Sequence, residues 1–339
     1  MKVLFIARST LYTNRGGDTI QVTNTCKFLK RFGVDAEIKL SNEKIDYAPY
    51  DLVHYFNVTR PADILMHVRK SQKPYVVSTI FVEYSEFERK VRKGITGRLF
   101  KYLSPDFIEY VKVLARSLVN REKIMSRDYL LSGHKQSVKN VISQSILLLP
   151  NSHHEYERLK NHYGVEHDYK VIPNAIDTEI FKPDINESRD PVMVICVGRI
   201  EGLKNQLSLI RAMKNTPFRL YIVGEPATNQ KDYYEQCKKL AGPDVQFIGS
   251  VPQQELVSYY SRAKVHVLPS WFETTGLSSL EAAAMGCNIV ITDKGDTVEY
   301  FGDLAVYCDP GSVESIRKSV ESAASMPANN ELMNKVLWI

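Results

Sequence analysis

The chain has 339 residues, 44% hydrophobic and 24% charged, the balance of a soluble globular protein with length for about two domains. Its net charge of +5 is small, and no nucleic-acid partner is expected. The five cysteines (Cys26, Cys196, Cys237, Cys287, Cys308) stand singly, which excludes a disulfide framework or a thiolate metal cluster and fits reduced, buried thiols in a cytoplasmic protein.

In chain order, MKVLFIA (Met1 to Ala7) reads as a buried strand over Lys2 to Ile6. Its apolar run stops at Arg8, short of the ~7–15 residues of a secretory segment, and nothing approaches the ~20 residues of a membrane span. A polar loop with Arg15, Gly16 and Gly17 follows. A helix then runs from about Asp18, read as its N-cap, to Phe32, with Gly33 as its stop. Strands are expected at Val34 to Ile38, Leu52 to Tyr55 and Tyr75 to Ser78, with a helix near Ala62 to Lys70. This opening is a doubly wound signature.

Residues 86–140 read as helical and charge-rich. Between Arg89 and Lys139 thirteen basic residues face four acidic ones, a net +9, so the rest of the chain sums to about −4. Such a stretch suits peripheral contact with an anionic membrane or a phosphorylated acceptor; the plainer reading is a solvated helical surface. A strand at Ser145 to Leu149 and a helix at His153 to His162 follow. His153 and His154 are adjacent on that helix and share no face, so no metal site is expected there. VIPNAID (Val171 to Asp177), with Pro183 and the polar stretch to Asp190, reads as the inter-domain connection, dividing the chain at 1–170 and 171–339.

A second α/β series has strands at Met193 to Val197, Arg219 to Val223, Val245 to Ile248, Val265 to Leu268 and Asn288 to Ile291. Helices fill the intervals near Asn205 to Lys214, Tyr233 to Leu240, Gln254 to Ser261 and Leu277 to Met285. Short apolar strands alternating with helices predict a parallel sheet covered on both faces.

In such sheets ligands bind where strand ends lead into helices. VGRIEGLKN places Arg199 and Lys204 on one such loop after Gly198, two cations able to clamp a diphosphate. PSWFETTGLSSLEAAAMG follows the strand that ends at Leu268. Gly276 and Leu277 would open a helix whose first N–H groups suit a phosphate, Glu273 lies in the loop before it, and Glu281 about one turn inside. The two carboxylates could grip two parts of one ligand. Gly16-Gly17 is not a GxGxxG fingerprint, which argues against an NAD dehydrogenase, and no cofactor is expected.

These motifs resemble the retaining glycosyltransferases of family 4, with the GT-B fold of two facing Rossmann-like domains and a cleft between them. FIGSVP (Phe247 to Pro252), the IVGE strand end at Gly224, and Gly295 with Glu299 also match, densely from about Asn151 to Ala324. The resemblance implies that Glu273 holds the donor sugar, that Glu281 holds the ribose hydroxyls and that Arg199 and Lys204 stabilise the leaving diphosphate. Thr274, Thr275, Gly276 and Leu277 would line the donor, the Gly249-Ser250 turn would lie beside the base, and Gly16 and Gly17 would approach the diphosphate. It implies a metal-independent, retaining hexosyl transfer from a UDP- or GDP-sugar to a glycan or lipid-linked acceptor, as in surface polysaccharide synthesis. A two-sided cleft must exclude water to limit donor hydrolysis, so hinge closure is expected around Ile172 to Asp177.

Three departures stand out. Phe81 occupies the place of a histidine common in the family, followed by Glu83; Thr275 stands where an aromatic residue is frequent; and Glu331 to Ile339 begins like the family's returning helix and stops early. The alternatives are a nucleotide-sugar-binding protein that does not transfer, which Phe81 favours, and a nucleotide-sugar epimerase, for which no acid/base set can be assembled.

Overall fold

Lys2–Ala7 forms strand β1 because its five apolar side chains are all buried, which requires cover on both faces of the sheet. A computed structural model describes residues 1–14, 16–82, 106–111, 113, 127–183 and 188–338. Met1–Pro173 and Asn174–Ile339 form two compact units.

In the first unit β1 is followed by α1 (Gly17–Arg31), β2 (Asp35–Leu40), β3 (Leu52–Phe56), α2 (Pro61–Ser71), β4 (Tyr75–Ser78), α3 (Arg127–Ser143), β5 (Leu147–Leu149) and α4 (His153–Tyr163). The sheet is parallel, in the order β2-β1-β3-β4-β5. Helix α1 is capped two residues earlier than expected, with Gly16 rather than Asp18 at its N-cap. Asp18 instead takes an ion pair from Arg8 at 2.6 Å, and Arg8 also donates to the carbonyls of Thr10 and Asn14. One guanidinium thereby ties together the loop that carries Gly16 and Gly17. Of the helical expectation for 86–140, residues 86–105, 112 and 114–126 lie outside the described residues, as do most of the basic residues, Arg15 and Glu83.

The second unit contains β6 (Asp190–Val197), α5 (Gln206–Ala212), β7 (Arg219–Val223), α6 (Lys231–Leu240), β8 (Val245–Gly249), α7 (Gln253–Arg262), β9 (Ala263–Leu268), α8 (Leu277–Ala284), β10 (Asn288–Thr292), α9 (Thr297–Phe301), β11 (Val306–Cys308), α10 (Val313–Ser325) and α11 (Asn330–Leu337). Its six parallel strands run β11-β10-β9-β6-β7-β8. The core aliphatics Val194, Ile195, Val265, Val267, Ile289, Val290 and Ile291 are buried, each worth roughly 1.5–3 kcal/mol. Helices α9 and α10 and the short strand β11 were not expected; α10 buries Ile316, Val320 and Ala323 along one stripe.

The connection read over 171–190 is shorter than expected, because the change of unit falls at Pro173/Asn174. Beyond it Phe181 is fully buried in the second core and the Asn174 N–H donates to Tyr300 Oη at 2.9 Å. Residues 184–187 lie outside the described residues. All five cysteines are free and buried, and no helix among the described residues is long and apolar enough to cross a membrane.

The strand order decides where a ligand can lie. From β6 the chain winds outward to β7 and β8, then returns to place β9 on the other side of β6. The loops leaving β6 and β9 therefore diverge, and a crevice opens at their carboxyl ends.

Candidate functional site

Both informative loops leave the sheet at this switch point. After β6 the chain passes Gly198 and Arg199 into a short 3₁₀ turn, Gly202–Lys204. Asn205, in the left-handed region at φ 61°, ends the turn, and its side-chain amide donates to the carbonyls of Pro269 (3.1 Å) and Pro310 (2.8 Å). Gln206 donates to the Arg199 carbonyl at 2.9 Å, and the Trp271 N–H to the Leu203 carbonyl at 2.9 Å. These bonds join the β6 loop to the β9 loop, so the side chains between them are placed by backbone.

Lys204 and Glu273, 69 residues apart in sequence, meet as a result: Nζ lies 2.5 Å from Oε1. The carboxylate is 7% exposed and the ammonium side chain 19%. Arg199 stands nearer the surface, 41% exposed, and pairs with Glu201 at 3.0 Å. Two cations thus occupy one loop, each held by a carboxylate that an anionic ligand could replace.

Glu273 owes its position to Gly295. The two residues bridge as parallel strands; Glu273 donates its N–H to the Lys294 carbonyl and accepts from the Asp296 N–H, both at 3.0 Å. Gly295 has φ 102°, and a Cβ there would lie 2.0 Å from the Glu273 carbonyl oxygen. Gly295→Ala is therefore expected to lose at least about 2 kcal/mol of stability, since both the backbone angle and the contact oppose it. Urea denaturation measures this; a loss below 0.5 kcal/mol, taken as roughly the scatter of neutral surface changes, would mean that the loop adapts freely.

The loop continues through half-buried Thr274 and buried Thr275, whose Oγ1 accepts from Asn174 Nδ2 at 2.9 Å. Thr275 thus ties the loop after β9 to the first residue of the unit. Gly276 caps α8 at φ 73°, where a Cβ would press on Ile291 at 2.9 Å. The Ser279 and Leu280 N–H groups donate to the Gly276 carbonyl at 2.8 and 3.0 Å, so those of Leu277 and Ser278 precede the first helical bond, the general condition for binding an anion.

Glu281 lies inside α8 and is 8% exposed. Gln253 Nε2 donates to its Oε1 at 3.0 Å and the Tyr260 hydroxyl to its Oε2 at 3.2 Å. Burial pushes its carboxyl up to about 7, and the two donated bonds counter only part of that. Gln253 follows the Gly249-Ser250 turn after Val251 and Pro252. Glu225 accepts from the Ser250 N–H at 3.2 Å, and the Gly224 N–H donates to the Gly249 carbonyl at 2.8 Å.

Of the residues singled out from sequence, Gly198, Arg199, Lys204, Gly249, Ser250, Glu273, Thr274, Thr275, Gly276, Leu277 and Glu281 all fall at the carboxyl-end side of this one sheet. Gly16 and Gly17 lie in the first unit, at the carboxyl end of β1. Gln253, Tyr260, Asn174 and Asn205 were missed as contributors. Asn205 and Asn174 stood inside the motifs VGRIEGLKN and VIPNAID, whereas Gln253 and Tyr260 stood in none. In the first unit Phe81 is buried. Its ring packs 5.6 Å from that of His162 and 5.8 Å from that of Tyr163, and its N–H donates to Glu155 at 2.8 Å. Among the described residues no group of three or more His, Cys, Asp or Glu is placed to hold a metal ion.

A family model described as "Glycosyl transferases group 1" matches residues 177–336. A D-inositol 3-phosphate glycosyltransferase of Acidothermus cellulolyticus is 30% identical over 227 residues, covering 54% of this chain and 50% of that protein. The chain spans about half the length of curated relatives that it matches. Among solved structures, a sucrose-phosphate synthase from Thermosynechococcus elongatus superposes with a TM-score of 0.75 at 15% identity, covering 99% of this chain and 94% of that one. Anabaena Alr3699/HepE in complex with UDP superposes with a TM-score of 0.69 at 14% identity, covering 100% and 94%.

Proposed function

We propose that the chain is a retaining hexosyltransferase of the glycosyl transferases group 1 family using a UDP- or GDP-sugar, a reading supported by the match of residues 177–336 and by the GT-B fold. The observation that carries this reading is the Lys204–Glu273 pair at the switch point, with Arg199 beside it and α8 opening below it. A diphosphate takes the two cations and the first N–H groups of α8. The donor sugar takes Glu273, released from Lys204, and the ribose takes Glu281. The Gly249-Ser250 turn lies beside the base.

In the transfer the bond from the anomeric carbon to the diphosphate oxygen breaks, and the acceptor hydroxyl oxygen bonds that carbon from the same face. The acceptor's proton passes to the departing phosphate. Arg199 and Lys204 neutralise the charge that develops on the leaving group, work otherwise given to Mg²⁺. The acceptor is a glycan or lipid-linked molecule, as in surface polysaccharide synthesis, handled by the first unit, and the basic stretch from Arg89 to Lys139 holds that unit to an anionic membrane.

A thermal-shift panel of UDP-, GDP-, ADP- and TDP-sugars in EDTA, on wild type and Glu281→Ala, tests this. Stabilisation by a uridine or guanosine donor that disappears in the variant is expected; no shift with any of the four sinks the donor-site reading. One observation favours a second reading. The buried Phe81 ring packs on His162 and Tyr163 and offers no imidazole to a sugar, which suits a protein that binds the donor without transferring it. Release of nucleotide diphosphate from a bound donor, with or without acceptor, separates the two.

A further inference from the structure

The carboxylate of Glu281 is held by two groups of different kind. Tyr260 is fully buried and gives its only hydroxyl proton to Oε2. Gln253 is partly buried at the start of α7, immediately after the Gly249–Pro252 turn. Its amide carries two N–H donors and one carbonyl acceptor, and only one N–H is used, on Glu281 Oε1 at 3.0 Å. Among the described residues it makes no other hydrogen bond.

A vicinal diol needs both kinds of partner, since each hydroxyl donates one hydrogen bond and accepts others. An ionised carboxylate only accepts. An amide fixed beside it supplies the missing donor. We propose that Gln253 is a positioning and specificity-determining residue for the ribose of the nucleotide, orienting Glu281 and presenting its second N–H to the same pair of hydroxyls. This rests on the donor-site reading above and extends it to a residue outside the sequence motifs. Gln253 also favours the ionised form of Glu281 against burial, because its bond is one of the two that offset desolvation. A ligand lacking the 2′-hydroxyl leaves one of these partly buried partners unsatisfied, the condition under which hydrogen-bonding sites discriminate most strongly.

The test is calorimetric titration of UDP, GDP and their 2′-deoxy forms, in EDTA, into wild type, Gln253→Leu and Gln253→Glu. Position 253 is partly exposed, so both variants should fold, which circular dichroism and a melting curve verify. Wild type should prefer the ribonucleotide by about tenfold or more. Gln253→Leu should weaken the ribonucleotides by about tenfold and the deoxynucleotides less than about twofold, by the same factor for both bases, the size of one neutral hydrogen bond. Gln253→Glu should weaken the ribonucleotides further, because it sets two carboxylates side by side. Equal weakening of ribo and deoxy forms, or an unchanged ratio, overturns this assignment alone and reduces Gln253 to a structural contact. Failure of wild type to bind either nucleotide overturns the donor-site reading and this assignment with it.

Discussion

Replacing Lys204 with alanine is expected to lower transfer by about 10²–10³-fold and to cost the ligand-free protein about 3 kcal/mol of stability. The two effects have separate causes. Under the proposed function, turnover falls because a cation assigned to the leaving diphosphate is gone, the kind of loss seen when one preorganised donor is removed from a charge-stabilising site. Stability falls because the carboxylate of Glu273, only 7% exposed, loses the ammonium 2.5 Å away. Desolvating two charges offsets most of the gain from pairing them, whereas stranding one is expensive. The double variant Lys204→Ala/Glu273→Gln should therefore recover much of the stability and none of the turnover. Denaturant unfolding and kcat measured on the four proteins of this cycle would decide it. If Lys204→Ala keeps kcat within about fivefold of wild type, the diphosphate is held elsewhere.

Glu281→Gln is expected to act in opposite directions on stability and binding. The carboxyl of Glu281 is pushed up to about 7 from an ordinary 4.5, chiefly by burial. Between those values the folded state keeps a proton that the unfolded state releases. Folding stability is therefore highest below pH 4.5, falls as pH rises towards 7, and levels off above it. A glutamine does not ionise and escapes this loss. At pH 8 the variant should be more stable than wild type, by at most about 3 kcal/mol, and at pH 4 the two should be equal. Nucleotide affinity should fall by roughly tenfold or more at pH 8, since a charged acceptor is replaced by a neutral amide. Urea midpoints at the two pH values and a titration with UDP and GDP measure both arms. A variant less stable than wild type at pH 8 would show that Tyr260 and Gln253 satisfy the ionised carboxylate better than burial penalises it.

Much of the architecture was legible because its signals are local. A run of buried aliphatics such as Val194 to Val197, bounded by Gly198, is a strand whatever else the chain does. The pattern Gly276-Leu277 before a stretch of small residues starts a helix for equally local reasons. The motifs also named Lys204, Glu273 and Glu281 one by one. The residues that hold them were hidden for a definite reason. Gln253 and Tyr260 lie 28 and 21 residues from Glu281, on another helix, and an ordinary Gln or Tyr at a helix position carries no mark of its partner. Phe81 was visible as a substitution, but only the packed structure shows its ring set against His162 and Tyr163.

The sequence by itself determined the alternation of strand and helix, the burial of both faces of each sheet, and which side chains would stand at strand ends, since periodicity and burial act over a few residues. Tertiary structure decided the strand order that places β9 beside β6, and with it the meeting of Lys204 and Glu273 across 69 residues. It also decided the start of α1, where the Arg8–Asp18 ion pair outweighed the capping preference of an aspartate. Crossover direction and long-range pairing depend on how whole elements pack, and no window of a few residues contains that energy.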